Sequence, residues 1–282
     1  MARFDWYQAS IQAHVSDLLE AFAELDEGVQ VVNGRGHHGY AHESRLEGLQ
    51  GTIARVWHGG SHERPHAVLS GEMAQAGAEV IRVNWPDHKV SRVDACEDFA
   101  DPVFDRIQGA MLDVAAKGGI RVDTRGDHLL TKQGRTLYLG SVKSAVRARL
   151  YDKAAELRAK FAADPVRLAQ VPEHLVRFEA QVRPASDKAK RAFATIEPMD
   201  VMGSAAWLRE VWANVAGIEC APVQAGKGWR QADDDRAWSY LLSQYGGLLQ
   251  RRKGELGDWA CVGLQIGSDL VERAKIKRGL GQ

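Results

Sequence analysis

The sequence predicts an α+β fold, an antiparallel sheet with flanking helices followed by a helical C-terminal region. Three observations predict it. Short runs with period-two alternation recur between turn residues, the pattern of antiparallel strands and not of repeated βαβ units. Segments with apolar residues at helical spacing are attached to those strands. Beyond Pro184 the composition turns helical as far as the last residues.

The elements follow in order. Residues 4–7 read as a strand, and 15–25 as a helix with Val15, Leu18, Leu19, Phe22 and Leu25 on one face. Residues 33–50, rich in Gly and His, read as loop or hairpin. A strand at 52–58, a turn at 59–65 and a partner strand at 66–70 form a hairpin. Residues 72–83 read as a short helix running into a strand, 90–98 as a strand, and 103–117 as an amphipathic helix stopped by Gly118 and Gly119. Short strands are expected at 128–131, 136–140 and 147–151, a helix at 152–163 and a strand at 175–182. The last helices are expected at 204–215, 233–253 and 268–278, with breaks at 226–228 and 246–247. Two domains are expected, residues 1–184 and 185–282.

Composition narrows the function. The 282 residues carry 37 Lys and Arg against 37 Asp and Glu, a formal net charge of zero. That excludes a protein that coats nucleic acid through bulk charge, but not one that grips it with a local patch. Charge is unevenly spread: residues 132–160 are basic, with only Asp152 and Glu156 as acids, whereas Asp94, Glu97, Asp98, Asp101 and Asp105 form an acidic zone. No apolar run approaches the roughly 20 residues a bilayer requires. The first residues show no apolar signal core, so no membrane association and a cytoplasmic location are expected. Cys96, Cys220 and Cys261 are widely spaced and fit unpaired thiols.

The sharpest chemical signal lies at 147–153. Alternation along a strand puts Arg147, Arg149, Tyr151 and Lys153 on one face, with Ala148 and Leu150 on the other. A phenol is a poor nucleophile near neutral pH, and adjacent cations favour its phenolate while neutralising charge on a phosphate. The competing reading is an exposed amphipathic strand whose tyrosine covers a core edge. Carboxylates in neighbouring strands supply hard oxygen ligands: Asp94 and Asp98 at 94–98, Glu179 beside Arg177 and Gln181, and Asp5 near the start. The competing reading pairs each acid with an arginine across the sheet, and Arg92, Arg149 and Arg177 are available for it. His37, His38, His42, His58, His62 and His66 form a further cluster. The spacing of His58, His62 and His66 suits zinc on a helix, but Gly59, Gly60 and Pro65 oppose a helix there. A loop of solvated or DNA-facing histidines competes with it.

The stretches TLYLGSVKS at 136–144 and RLYDK at 149–153 resemble the YxGS…S…RxYxK signature of rolling-circle replication initiation factors. VLSG at 68–71, VSRVD at 90–94 and EHLVRFE at 173–179 resemble further blocks of that family, in the same order. The resemblance spans roughly residues 4–184. It implies an antiparallel nuclease palm in which Tyr151 is the nicking nucleophile and Lys153 holds the scissile phosphate. Asp94 and Glu179 would lie near a divalent metal, Mg²⁺ or Mn²⁺, with Asp5 and Asp98 as further ligands. Lys143, Arg147 and Arg149 would track the DNA backbone, and Tyr138 is a backup nucleophile. The implied activity is site-specific nicking and rejoining of a single-stranded or hairpin origin through a 5′-phosphotyrosine, with a host helicase and polymerase as partners and a possible homodimer. The rival readings are a non-enzymatic origin-binding regulator of the same fold and a histidine-based metallohydrolase.

Overall fold

The computed structural model describes residues 2–49, 51–100, 102–226 and 233–277. Asp101, the end of the expected break at 226–228 and the end of the expected helix at 268–278 lie outside the described residues.

Ten strands form one antiparallel sheet: β1 (Arg3–Ser10), β2 (Gln30–Arg35), β3 (His42–Gly48), β4 (Gly51–His58), β5 (His66–Ser70), β6 (Lys89–Phe99), β7 (Val122–Arg125), β8 (Thr136–Leu139), β9 (Val146–Asp152) and β10 (Val176–Val182). Their spatial order is β2-β3-β4-β5-β1-β6-β10-β9-β8-β7. The helices are α1 (Val15–Ala23), α2 (Met73–Asn84), α3 (Phe104–Gly118), α4 (Lys153–Lys160), α5 (Pro165–Ala169), α6 (Asp187–Ala192), α7 (Ala206–Ala216), α8 (Asp233–Leu256) and α9 (Trp259–Lys277), with 3-10 turns at Phe193–Thr195 and Met199–Ser204.

The α+β class expected from alternation is the one observed. Period-two alternation sorts the central strands into two faces. Tyr7, Val93, Ala95, Ala148, Leu150, Phe178 and Ala180 point to one side and are buried. Against them pack Leu18 and Phe22 of α1, Ala78 and Ile81 of α2, Ile107 and Met111 of α3, and Val211 and Trp212 of α7. The other face carries the polar residues. The core therefore lies on one side of the sheet and the chemistry on the other.

Contacts divide the chain into Met1–Gly228 and Trp229–Gln282. The boundary expected near 184 falls inside the first unit, because Phe193, Val201, Met202, Leu208 and Trp212 complete its core. In the second unit α8 and α9 pack on each other. The Asp258 carboxylate accepts from the Cys261 N–H at 2.8 Å and caps the start of α9, which therefore begins nine residues before the expected helix. Cys96, Cys220 and Cys261 are free, as expected.

Two local expectations are corrected and a third is made specific. Residues 128–131 do not form a strand. The Asp127 carboxylate accepts the N–H groups of Leu129, Leu130 and Thr131 at 2.7–2.9 Å, which folds them into a turn, and the strand lies earlier at β7. The stretch at 33–50, expected as loop or hairpin, holds the end of β2 and all of β3, which pair antiparallel as a hairpin. The expected strand at the end of 72–83 is instead the last turns of α2.

Gly77 lets α2 sit directly on β5. A Cβ there would stand 1.9 Å from Leu69 Cδ2, and Leu69 is fully buried and has no space to retreat. Gly77→Ala is expected to lower stability by about 1–3 kcal/mol despite the better helix propensity of alanine. Urea unfolding of the two proteins checks it.

Candidate active site

The polar face of the central strands is fixed by register. Arg177 of β10 lies opposite Tyr151 of β9 on one side and Asp98 of β6 on the other; Glu179 lies between Arg149 and Cys96, and Gln181 between Arg147 and Asp94. On β8, Tyr138 is opposite Arg149 and Thr136 opposite Tyr151. The sheet thus brings Asp94, Asp98, Arg147, Arg149, Tyr151 and Glu179 onto one face from three strands. Lys153 departs from this pattern. The Asp152 carboxylate accepts the Ala155 N–H at 2.9 Å and starts α4, so the strand ends before Lys153. Its ammonium still stands 5.7 Å from the Tyr151 ring and pairs with Glu156 at 2.7 Å. Lys143 is exposed on the turn between β8 and β9 and lines a hollow with Arg121 and Arg147.

Tyr151 is only 5% exposed, its ring lying under the Arg149 guanidinium at 4.3 Å. Its hydroxyl has no hydrogen-bond partner among the described residues, and it is not among the enclosed polar atoms left without one. A packed ring with an uncommitted hydroxyl at its tip is a fixed side chain whose polar atom is free. Burial pushes the phenol above its ordinary value, and the nearby Glu179 charge adds to this; Arg177 and Arg149 act in the opposite sense.

The acids take arginine partners. Arg177 reaches Asp98 through Nε at 2.5 Å and Nη2 at 2.8 Å, and Asp5 through Nη1 at 2.7 Å. Arg3 adds a 2.6 Å contact to Asp98. Burial acts to raise Asp98, but these two arginines outweigh it and hold the carboxyl below its usual range. As they stand, Asp5 and Asp98 are ion-pair partners of Arg177, the competing reading of the sequence. Asp94 accepts from both Arg92 and Gln181. Among the described residues Glu179 pairs with Arg149 alone.

That single pair does not compensate Glu179. Burial, then the like charges of Asp94 and Asp5, push it up to about 7 against the pull of Arg149. Arg149 responds in the other direction: burial pulls it down, yet Glu179 and Tyr151 hold it above its ordinary value. Among the described residues no three His, Cys, Asp or Glu side chains are grouped to hold a metal ion. The donor set still fits one kind of ion. Mg²⁺ is commonly held by one or two carboxylates, with waters and substrate phosphates completing the shell, and Asp94 and Glu179 supply two carboxylates on neighbouring strands, each held in the resting protein by an arginine, Arg92 and Arg149.

Two hollows flank this centre. One, of about 230 Å³, is lined by Arg92, Arg147, Arg149, Arg183, Tyr138 and Glu179 among others. Its cations outnumber its acids. Burial first, then Arg125 and Arg149, lower Arg147; burial, then Arg92 and Arg147, lower Arg183. Arg147 has no carboxylate partner among the described residues and lies over the Tyr138 ring at 3.9 Å. The other hollow, of about 600 Å³, is lined by Asp5, Asp98, Lys153, Lys160 and Arg177 among others. Tyr151 joins the two through its neighbours, Arg149 in the first and Lys153 and Arg177 in the second.

The histidines do not converge as the zinc spacing required. Trp57 and His66 are cross-strand partners, while His58, next along β4, points to the other side and meets the Ser44 hydroxyl at 3.1 Å. Of the partners that organise the site, sequence reasoning named Arg92 as an available ion-pair partner and placed Gln181 beside Glu179, but passed over Arg183. Arg92 and Gln181 had a readable signal, their place in phase with Asp94 and Glu179. In the second unit Arg252 pairs with Glu255 at 2.8 Å and Lys253 lies 5.5 Å from the Trp259 ring, so both cations are engaged within the helical hairpin. The described helices include none long and apolar enough to cross a membrane.

Comparison with known proteins agrees with this architecture. The chain is similar in structure to a rolling circle replication initiator protein from Geobacillus stearothermophilus, with a TM-score of 0.50 and 16% identity over 86% of this chain and 95% of that one. At that identity the likeness speaks for the fold. No curated protein matches the sequence. The family model described as replication initiation factor matches residues 88–244, more than half of the chain and the stretch that carries β6, β9 and β10. The chain belongs to the replication initiation factor family.

Proposed function

We propose that this protein initiates rolling-circle replication by nicking and rejoining one DNA strand at an origin through Tyr151. The observation that carries the reading is a phenol with an uncommitted hydroxyl whose ring packs under Arg149, a wall of a cleft in which arginines outnumber acids. A scissile phosphate entering that cleft meets Arg147, Arg149 and Arg183, which neutralise its oxygens in the transition state. Lys143 and Arg147 follow the adjoining backbone. The Tyr151 oxygen forms a bond to phosphorus and the bond to the 3′ oxygen breaks. The phenol proton leaves to solvent, and the leaving oxygen takes a proton to give a free 3′-OH. The product is a 5′-phosphotyrosine, and attack by a 3′-OH reverses the step.

Asp94 and Glu179 are the residues that would hold Mg²⁺ or Mn²⁺, which when bound supplies positive charge to the phosphate. Neutralising Glu179 also removes one of the causes that keep the proton on Tyr151. Arg177 and Arg149, which favour the phenolate, are then opposed by burial and by the charge of Glu156. Asp5 and Asp98 are placed here as the clamp of Arg177. A host helicase and polymerase would extend the 3′-OH, and a second copy of the chain would supply another tyrosine for termination.

The test is incubation with supercoiled DNA carrying a panel of origins and Mg²⁺ or Mn²⁺, followed by denaturation and mapping of any covalent DNA–peptide adduct. An adduct on Tyr151 supports the mechanism. Nicking with the adduct on another residue overturns the assignment.

A further inference from the structure

The polar face continues beyond β6 into a second group of rings. Trp57 of β4 stacks on its cross-strand partner His66 with centroids 5.7 Å apart and planes 14° apart. His37, His38 and Tyr40, from the connection between β2 and β3, surround the same indole at 6.0, 5.6 and 6.4 Å. Tyr40 in turn stacks on His62 at 4.3 Å. Trp57 donates its Nε1–H to Glu43 at 3.1 Å, which fixes the ring plane. Nearer the cleft, Trp6 of β1 lies opposite Asp94 with the Arg92 guanidinium 4.5 Å over its ring.

These rings do not serve the core, which lies across the sheet. Trp6, Tyr40 and Trp57 are half-buried, and His37, His38 and Arg55 are exposed. Arg55 sits one alternation from Trp57 on the same face and has no carboxylate partner among the described residues. Partly exposed rings interleaved with cations, here the uncommitted Arg55 and Arg92, whose guanidinium also holds Asp94, are the composition that takes stacked bases and their phosphates. The rings share their face with the arginine cleft, and Arg92 belongs to both.

We propose that the β1–β5–β4 half of the polar face is a base-stacking platform for single-stranded DNA. Trp6, Trp57, Tyr40 and the exposed His37 and His38 receive unpaired bases, while Arg92 and Arg55 take phosphates. Placing the scissile phosphate at the other end of this track rests on the nicking reading above. From β9 to β4 there are five inter-strand steps, about 24 Å at roughly 4.8 Å each. That length suits a run of several nucleotides. A duplex would not engage these rings, because its base faces are already stacked on one another.

The test measures binding of a 16-mer oligothymidylate and of an abasic 16-mer with the same phosphates to the full chain carrying Tyr151→Phe, by anisotropy of an end label. The oligothymidylate is expected to bind about 5- to 150-fold more tightly. Trp57→Ala should remove most of that preference while leaving the abasic affinity unchanged. Trp57→Phe, which keeps a ring and the β4–β5 packing, should retain a large part of it, and His38→Ala, at an exposed position, should reduce it. Equal affinity for the two oligonucleotides, or a base preference that survives Trp57→Ala, overturns the platform. Adduct mapping reads the nicking reaction separately. Base preference that depends on Trp57 without any Tyr151 adduct keeps the platform and discards the nuclease; an adduct without such dependence does the reverse.

Discussion

Replacing Tyr151 with phenylalanine is expected to lower strand cleavage by about 10³-fold or more, a loss of roughly 4 kcal/mol of transition-state stabilisation. Affinity for single-stranded DNA should stay within about twofold of the parent. The substitution removes one oxygen that makes no hydrogen bond among the described residues, so the packing under Arg149 remains. Tyr138→Phe is the matched control. Tyr138 lines the arginine cleft and is half-exposed, with Arg147 stacked on its ring, so it is the neighbouring phenol best placed to substitute. Under the proposed mechanism Tyr138→Phe keeps cleavage within about tenfold, since its loss costs positioning and not the nucleophile. Gel assay of nicked circles and adduct mapping on both variants read the result. Unchanged cleavage by Tyr151→Phe would remove that residue from the reaction, and origin binding with no cleavage by any form of the protein would leave the regulator reading.

A second expected result concerns acid. His66 is buried, and burial first, then the charges of His62, His38 and Lys190, lower it to about 4. The Ser10 and Ser91 hydroxyls face its two ring nitrogens at 3.0 and 3.4 Å. In the unfolded chain the imidazole titrates near 6.5. Between those values the unfolded state binds a proton that the folded state does not, so stability increases with pH. The full difference is as much as ~3 kcal/mol, present above about pH 6.5 and lost as pH falls toward 4. Urea midpoints measured from pH 7 to pH 4.5 should show this slope, and His66→Gln should flatten it.

Alternation made the two faces of the sheet readable from the sequence. Arg147, Arg149 and Tyr151 were placed on one side and Ala148 and Leu150 on the other without reference to any partner strand, and the structure has them so. Lys153 went astray because strand alternation was carried one residue past the point where the Asp152 side chain starts a helix. The strand expected at 128–131 failed for a related reason, since Leu129 and Leu130 look like strand residues while Asp127 commits their N–H groups to a turn. β2 was passed over because its residues are all exposed and carry no apolar alternation; neighbouring β3, and not a core, holds it. The acids were the least legible part. A carboxylate in a strand serves an arginine or a metal equally well in sequence, and only register shows that Arg177 reaches both Asp5 and Asp98.

Arg177→Met is expected to destabilise the first unit by about 3–5 kcal/mol, a large fraction of the 5–15 kcal/mol typical of a folded domain. Arg177 is 5% exposed and its guanidinium holds two carboxylates, so its removal leaves Asp5 without this partner and, among the described residues, Asp98 with Arg3 alone. The sign follows from Asp98. Its carboxyl is lowered in the folded protein, so the stabilisation is present above the unfolded value near 4 and is lost as pH falls through the folded value. The penalty of Arg177→Met should therefore be largest near pH 7 and shrink in acid. Adding Asp98→Asn should restore part of the loss, because the double variant no longer buries that uncompensated charge. Magnesium separates the two roles open to these acids. If Asp5 and Asp98 serve only as the clamp of Arg177, millimolar Mg²⁺ shifts the urea midpoint of Arg177→Met no more than that of the parent; if they are metal ligands, freeing them makes the shift larger in the variant. The first outcome is expected, since Arg177 meets both carboxylates in the resting protein.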